Sequence, residues 1–98
     1  MNRIETPTIG KILKEEFIEP NKISLYRLAK DIKVPTSRIL QIVHGKRRIT
    51  VQTGLKLARY FDTSDKFFIN LQADVDIREE KQKIRHELEE IKHVHTSS

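Results

Sequence analysis

Apolar residues recur three and four positions apart along most of this chain, in short runs separated by residues that cap or break helices. The pattern predicts a first helix from Thr8, as N-cap, through Phe17 or Ile18, with Ile9, Ile12, Leu13 and Phe17 as its stripe. Pro20 and Asn21 end it. Ser24 caps a second helix whose Leu28, Ala29 and Ile32 face inward, and Ile23 with Leu28 is placed to form a hydrophobic staple. Pro35 suits the start of a third helix, because it is rejected inside a helix and tolerated at its first turn. That helix carries Ile39, Ile42 and Val43 on one face, and Gly45 supplies the left-handed residue that ends it. Thr50 caps a fourth helix through Tyr60, with Val51, Leu55, Leu57 and Ala58 as its apolar positions. Gly54 inside it costs about 1 kcal/mol relative to alanine unless close packing requires it. Ser64 caps a fifth helix, whose Phe67, Phe68 and Leu71 are core or interface. Asp76 and Glu79 resemble a capping box and predict a sixth, with Ile77, Ile84, Leu88 and Ile91 on one narrow stripe and Glu79 paired to Lys83. Met1 to Pro7 reads as a loose arm and His95 to Ser98 as a frayed tail.

Ala29, Val34, Ile39 and Ile42 have the spacing of a helix-turn-helix: a small residue where two helices cross, then three apolar ones beneath. This leaves Thr36, Ser37, Arg38 and Gln41 on the exposed first turns of the second motif helix, with side chains suited to touching base edges in a major groove. A plain helical hairpin has the same apolar underside, so the motif needs support from charge. The net charge is +5, but it is unevenly spread. From Pro20 to Phe61 there are ten Lys and Arg against one acid, Asp31, whereas Asp74 to Ser98 holds five basic and seven acidic residues. A basic middle that contains the motif is the footprint of a phosphate-backbone binder. Ser24, Arg27, Lys46, Arg47 and Arg48 are the expected phosphate contacts, the last three following directly on Gly45.

Composition bounds the rest. Ninety-eight residues with 37% hydrophobic and 34% charged content make a charge-rich helical chain with one modest core. The expected division is a DNA-binding domain over 1–73 and a C-terminal helix and tail over 74–98. No apolar run reaches membrane-spanning length, and no signal segment is read at the start. With no cysteine there is neither a disulfide nor a thiolate metal site, which is compatible with a cytoplasmic protein. His86, His93 and His95 lack the helical spacing of a metal site, His44 reads as a helix-end residue, and no glycine-rich phosphate loop occurs. No enzyme, catalytic residue, cofactor or small-molecule substrate is therefore expected. A small helix-turn-helix also binds DNA as a two-fold dimer, and Phe68, Leu71, Ile84 and Leu88 are the candidate contacts.

Several segments carry a family resemblance: Gly10-Lys-Ile-Leu-Lys-Glu-Glu-Phe17, Tyr26-Arg-Leu-Ala29, Val34-Pro-Thr-Ser-Arg-Ile39, Ile42-Val-His-Gly-Lys-Arg-Arg-Ile-Thr50, Leu57-Ala-Arg-Tyr-Phe61 and Asn70-Leu-Gln-Ala73. Over about Thr8 to Ala73 the chain resembles the HigA antitoxins (VapI-like), a branch of the XRE/Cro helix-turn-helix family that includes phage repressors. Two positions depart from the pattern: Lys33 stands where the turn usually has glycine, and Leu25 where a phosphate-contacting glutamine often opens the first motif helix. The resemblance implies an all-α, five-helix, lambda-repressor-like domain, here with an extra C-terminal helix. It further implies a bacterial cytoplasmic protein, at the nucleoid when bound to DNA. Such an antitoxin neutralises a HigB-like messenger-RNA endonuclease and represses its own operon as a dimer on a palindromic operator. The expected toxin surface is acidic: Glu15, Glu16 and Glu19 with Glu87, Glu89 and Glu90, among Ile12, Ile18 and Ile91. The alternative is a stand-alone phage-type or metabolic regulator without a toxin.

Overall fold

The computed structural model describes residues 8–94, so the expected arm at Met1 to Pro7 and tail at His95 to Ser98 lie outside the described residues. Within them the chain is all helical: α1 over Ile9–Ile12 continuing as a π-helix over Leu13–Ile18, α2 over Leu25–Ile32, α3 over Thr36–Val43, α4 over Val51–Phe61, α5 over Phe67–Lys83 and α6 over Arg85–Glu90. Three expected caps form. Thr8 Oγ1 accepts the Lys11 amide at 3.1 Å, Ser24 Oγ the Arg27 amide at 2.9 Å, and Thr50 Oγ1 the Thr53 amide at 3.2 Å. No helix among the described residues is long and apolar enough to cross a membrane.

The π winding of the first helix was not legible in its apolar spacing. Its reason is packing. Leu13 and Ile18, five residues apart, are both buried, and an α-helix would place them on different faces. Closing each turn at the fifth residue, as in the Glu19 amide to Lys14 carbonyl bond of 2.9 Å, aligns them. The Asn21 side chain then donates to the Phe17 carbonyl left over at the end.

The first four helices end alike. Lys22, Lys33, Gly45 and Asp62 are left-handed, with φ of 56°, 60°, 75° and 59°. The amide after each reaches back to the fifth carbonyl: Ile23 to Ile18, Val34 to Ala29, Lys46 to Gln41 and Thr63 to Ala58. Glycine occupies only one of these positions; Lys33 holds the conformation against its Cβ, and Lys56 Nζ from α4 donates to its carbonyl at 3.3 Å.

One core unites these helices. Leu13, Leu28, Ala29, Ile39, Ile42, Leu57, Ala58 and Phe68 are fully or almost fully buried. Phe17, Phe61, Phe67 and Phe68 pack ring to ring beside them, so the aromatic pair of α5 is packing. Two close approaches depend on glycine. A Cβ on Gly10 would lie 2.1 Å from the Val43 carbonyl oxygen, so α1 crosses the end of α3 backbone to backbone. A Cβ on Gly54 would meet the Ile69 side chain at 2.9 Å, so close packing explains that glycine.

Three expectations are corrected. Val51 and Leu55 face outward, because α4 turns only the side carrying Thr53, Gly54, Leu57 and Ala58 to the core. Ser64 does not cap α5; its carbonyl accepts the Phe67 amide in a preceding turn, and the helix begins after Lys66 with no side-chain cap. Asp76 opens no helix: α5 runs unbroken from Phe67 to Lys83, and the break falls at Ile84.

Between α2 and α4, Tyr60 Oη donates to Asp31 Oδ2 at 2.5 Å and Arg27 Nε donates to the same oxygen at 3.2 Å. The tyrosine bond, aided by Arg27, holds the Asp31 carboxyl below the usual range, and the same bond pushes the Tyr60 phenol up. The tie is complete while Asp31 is ionised and Tyr60 is not. Its contribution is lost at the acid end as pH falls through the depressed Asp31 value, and at the alkaline end as pH rises through the raised Tyr60 value.

Three outcomes are expected. Gly10→Ala should destabilise the fold by about 1–3 kcal/mol in urea unfolding, since only backbone stands in the way of the new methyl. Gly54→Ala should cost less, because the Ile69 side chain can turn aside. Tyr60→Phe should lower stability at neutral pH and flatten its decline between pH 5 and the acid end, measured by urea titration across pH; an unchanged acid slope would show that the phenol does not set the Asp31 titration.

Candidate nucleic-acid interface

Helix α3 is set so that one side is core and the other is open. Ile39 and Ile42 are buried, Thr36 and Arg38 half-buried, and Ser37 and Gln41 exposed. Pro35 precedes it and offers no side-chain cap, so the first turn keeps free amides and their partial positive charge. Arg38 Nε is buried without a hydrogen-bond partner. The four expected base-reading residues therefore share one short helix, with Thr36, Ser37 and Arg38 in its first turn and Gln41 near its end, next to the basic loop.

That loop is ordered by bonds the sequence did not reveal. Gly45 turns the chain so that the Lys46 amide meets the Gln41 carbonyl at 2.7 Å. Arg47 Nη1 then donates to the Gln41 Oε1 at 3.1 Å. Gln72 from α5 is buried, and its Oε1 accepts the Ile49 amide at 2.8 Å while its Nε2 donates to Asp76 Oδ1 at 2.9 Å. The other Asp76 oxygen takes the Arg48 guanidinium at 2.5 Å. So the three cations after Gly45 have different surroundings: Lys46 forms none of the ion pairs found among the described residues, Arg47 binds a side chain of α3, and Arg48 is paired to a carboxylate. Ser24 and Arg27, the other expected phosphate contacts, lie exposed on the first turn of α2, with Arg27 drawn toward Asp31.

Gln72 and Asp76 are the residues that sequence reasoning missed. A usable signal existed for Gln72: it follows Phe68 by four on the inward stripe of α5, and a polar group there must find a partner. The expected dimer contacts separate. Phe68 has no exposed surface, being enclosed by Phe17, Phe61 and Phe67, and cannot offer itself to a second chain. Leu71 is half-buried against the core and Ile84 half-buried, while Leu88 is 40% exposed.

Residues 13–68 match the helix-turn-helix family. The chain is 41% identical over 76 residues to virulence-associated protein I of Dichelobacter nodosus, covering 76% of this chain and 70% of that protein. It is 39% identical over 70 residues to an uncharacterized HTH-type transcriptional regulator of Haemophilus influenzae, where the match covers 71% of this chain and 65% of the relative. The structure resembles that of the Pseudomonas aeruginosa antitoxin HigA with the higBA promoter, at 32% identity and a TM-score of 0.83, covering 91% of this chain and 99% of that one.

The loop network makes a graded prediction. Gln72→Leu leaves the buried Ile49 amide without its acceptor and should cost about 1–3 kcal/mol in urea unfolding. Asp76→Asn removes the charge opposite Arg48, whose side chain is 70% exposed, and should cost no more than about 1 kcal/mol. The reverse order would mean that the ion pair, and not the buried amide bond, holds the loop.

Proposed function

This chain belongs to the helix-turn-helix family, in its HigA-type branch, and from that premise we propose a sequence-specific operator-binding repressor that also neutralises a toxin. The observation that carries the DNA reading is the placement of Thr36, Ser37, Arg38 and Gln41 along α3, whose end meets a basic loop in which Lys46 is unpaired among the described residues. The solved relative with its promoter supports this reading of the fold. In the complex proposed for this chain α3 enters a major groove, while Ser24, Arg27 and Lys46 lie near the phosphates.

One such helix reads few base pairs, so two copies on half-sites about one helical turn apart are required. The second copy docks through the surface after Ser64, with Leu71, Ile84 and Leu88 joined by Ile77 and Ile91, which are 56% and 67% exposed. The toxin is a HigB-like messenger-RNA endonuclease, whose RNA-binding face is basic to meet the phosphates. Glu15 and Glu16, exposed on the π-helical half of α1, Glu19, exposed at its end, and Glu87, Glu89 and Glu90 on α6 supply the opposite charge.

The DNA reading is checked by titrating operator duplexes with two variants. Gln41→Ala should change base preference at one position, by about 1–3 kcal/mol, and Lys46→Ala should weaken every sequence alike and flatten the salt dependence by about one unit of slope. A common, sequence-blind effect of both would remove the division between readers and clamps. Toxin association is checked by stopped flow with Glu15, Glu16 and Glu19 reversed to lysine. Slower association, most of all at low salt, is expected; a rate indifferent to both reversal and salt would remove α1 from the toxin surface. If the wild-type chain binds no product of a neighbouring gene, the stand-alone regulator is the correct reading.

A further inference from the structure

Arg47 lies on the loop after α3, where a cation is ordinarily assigned to the phosphate backbone. Its position in this fold argues otherwise. The left-handed Gly45 and the Lys46 amide bond to the Gln41 carbonyl fold the loop back over the last turns of α3. Arg47 Nη1 then sits 3.1 Å from Gln41 Oε1, and both side chains are exposed. Of its two neighbours, Arg48 is held by Asp76 and Lys46 is left for phosphate.

A free glutamine is ambivalent toward DNA. Its carboxamide has one accepting and one donating end, the pattern that matches adenine, which offers an acceptor at N7 and a donor at N6. The guanidinium changes that. With one lone pair of Oε1 engaged by Arg47 and the oxygen turned toward the guanidinium, the pair presents the Gln41 amide hydrogens and the remaining guanidinium hydrogens, so that donors dominate its open edge. Guanine is the base with two acceptors, O6 and N7, on its major-groove edge. Adenine N6 and cytosine N4 would set donor against donor, and thymine offers one acceptor beside a methyl group.

We propose that Gln41 and Arg47 act as one composite reader that selects a guanine in each operator half-site, with Arg47 as the specificity-determining partner that orients the Gln41 amide. This rests on the DNA-binding reading above and names the base class that the face of α3 takes. Both residues are on the surface, so substitution tests recognition without disturbing the core.

The test uses the full chain and a randomised pool of double-stranded DNA, selected in parallel with wild type, Arg47→Ala, Arg47→Lys and Gln41→Ala. Wild type should enrich guanine over adenine about tenfold or more at one position per half-site, the scale of a bidentate contact. Arg47→Ala should erase that ratio or turn it toward adenine while the other positions keep their preferences. Lysine, which lacks the planar fork, should not restore it. Replacing the selected guanine by 7-deazaguanine should weaken wild type several-fold and leave Arg47→Ala unaffected. If Arg47→Ala weakens all sequences equally and flattens the salt dependence by about one unit, Arg47 is a phosphate contact and the proposal falls. A wild-type selection with a consensus but no guanine at a position sensitive to Gln41→Ala overturns it with the DNA-binding reading intact. A pool that yields no consensus at all overturns both.

Discussion

Helix α3 is held from behind by a helix that meets it without a side chain. At Gly10 the backbone of α1 rests on the carbonyls of Ile42 and Val43, closer than any Cβ would permit. That contact fixes the far end of α3, while Ile39 and Ile42 fix its underside. Three consequences follow from it. The first helix must start at Thr8 to place its glycine, must then widen to bury both Leu13 and Ile18, and must stop where Lys22 turns left-handed. Packing against backbone has no rotamer freedom, so the position of α3 is specified more tightly than side-chain contact alone would allow.

A second constraint concerns the loop that follows α3. Loops carry backbone groups that water usually satisfies, but the Ile49 amide is buried and takes the Gln72 carboxamide instead. Gln72 in turn orients Asp76, and Asp76 holds Arg48. The order of these bonds matters energetically. The buried amide bond is the one that cannot be exchanged for water without loss, whereas the partly exposed ion pair contributes little. A chain of three bonds thus lets α5 set the shape of the loop that follows α3.

Beyond that network α5 leaves the core. Its inward residues, Phe68, Leu71, Gln72, Val75 and Asp76, give way to exposed positions, and after the break at Ile84 no residue of α6 is buried. Ile77, Leu88 and Ile91 stand exposed on this projecting arm, among acids and bases that keep it in water. An arm of this kind gains little from folding against its own domain, and its apolar positions are open to a second chain.

Much of this was legible in the amino-acid order because it is local. Thr8, Ser24 and Thr50 cap helices by reaching amides three residues on, and Gly45 ends α3 by its own backbone freedom. The helix-turn-helix spacing of Ala29, Val34, Ile39 and Ile42 is likewise a property of one short segment, and all four are buried. Where a residue had a distant competitor for its side chain, order alone misled. Asp76 has the spacing of a cap yet spends its carboxylate on Gln72 and Arg48, and Phe68 could have faced a partner but is enclosed by Phe17 and Phe61. The π turns of α1, the need for Gly54 and the separate surroundings of Lys46, Arg47 and Arg48 were decided the same way. A cap competes only with its neighbours in the chain, but a buried group is assigned by whatever the fold brings beside it, and that contact has no sequence spacing to betray it.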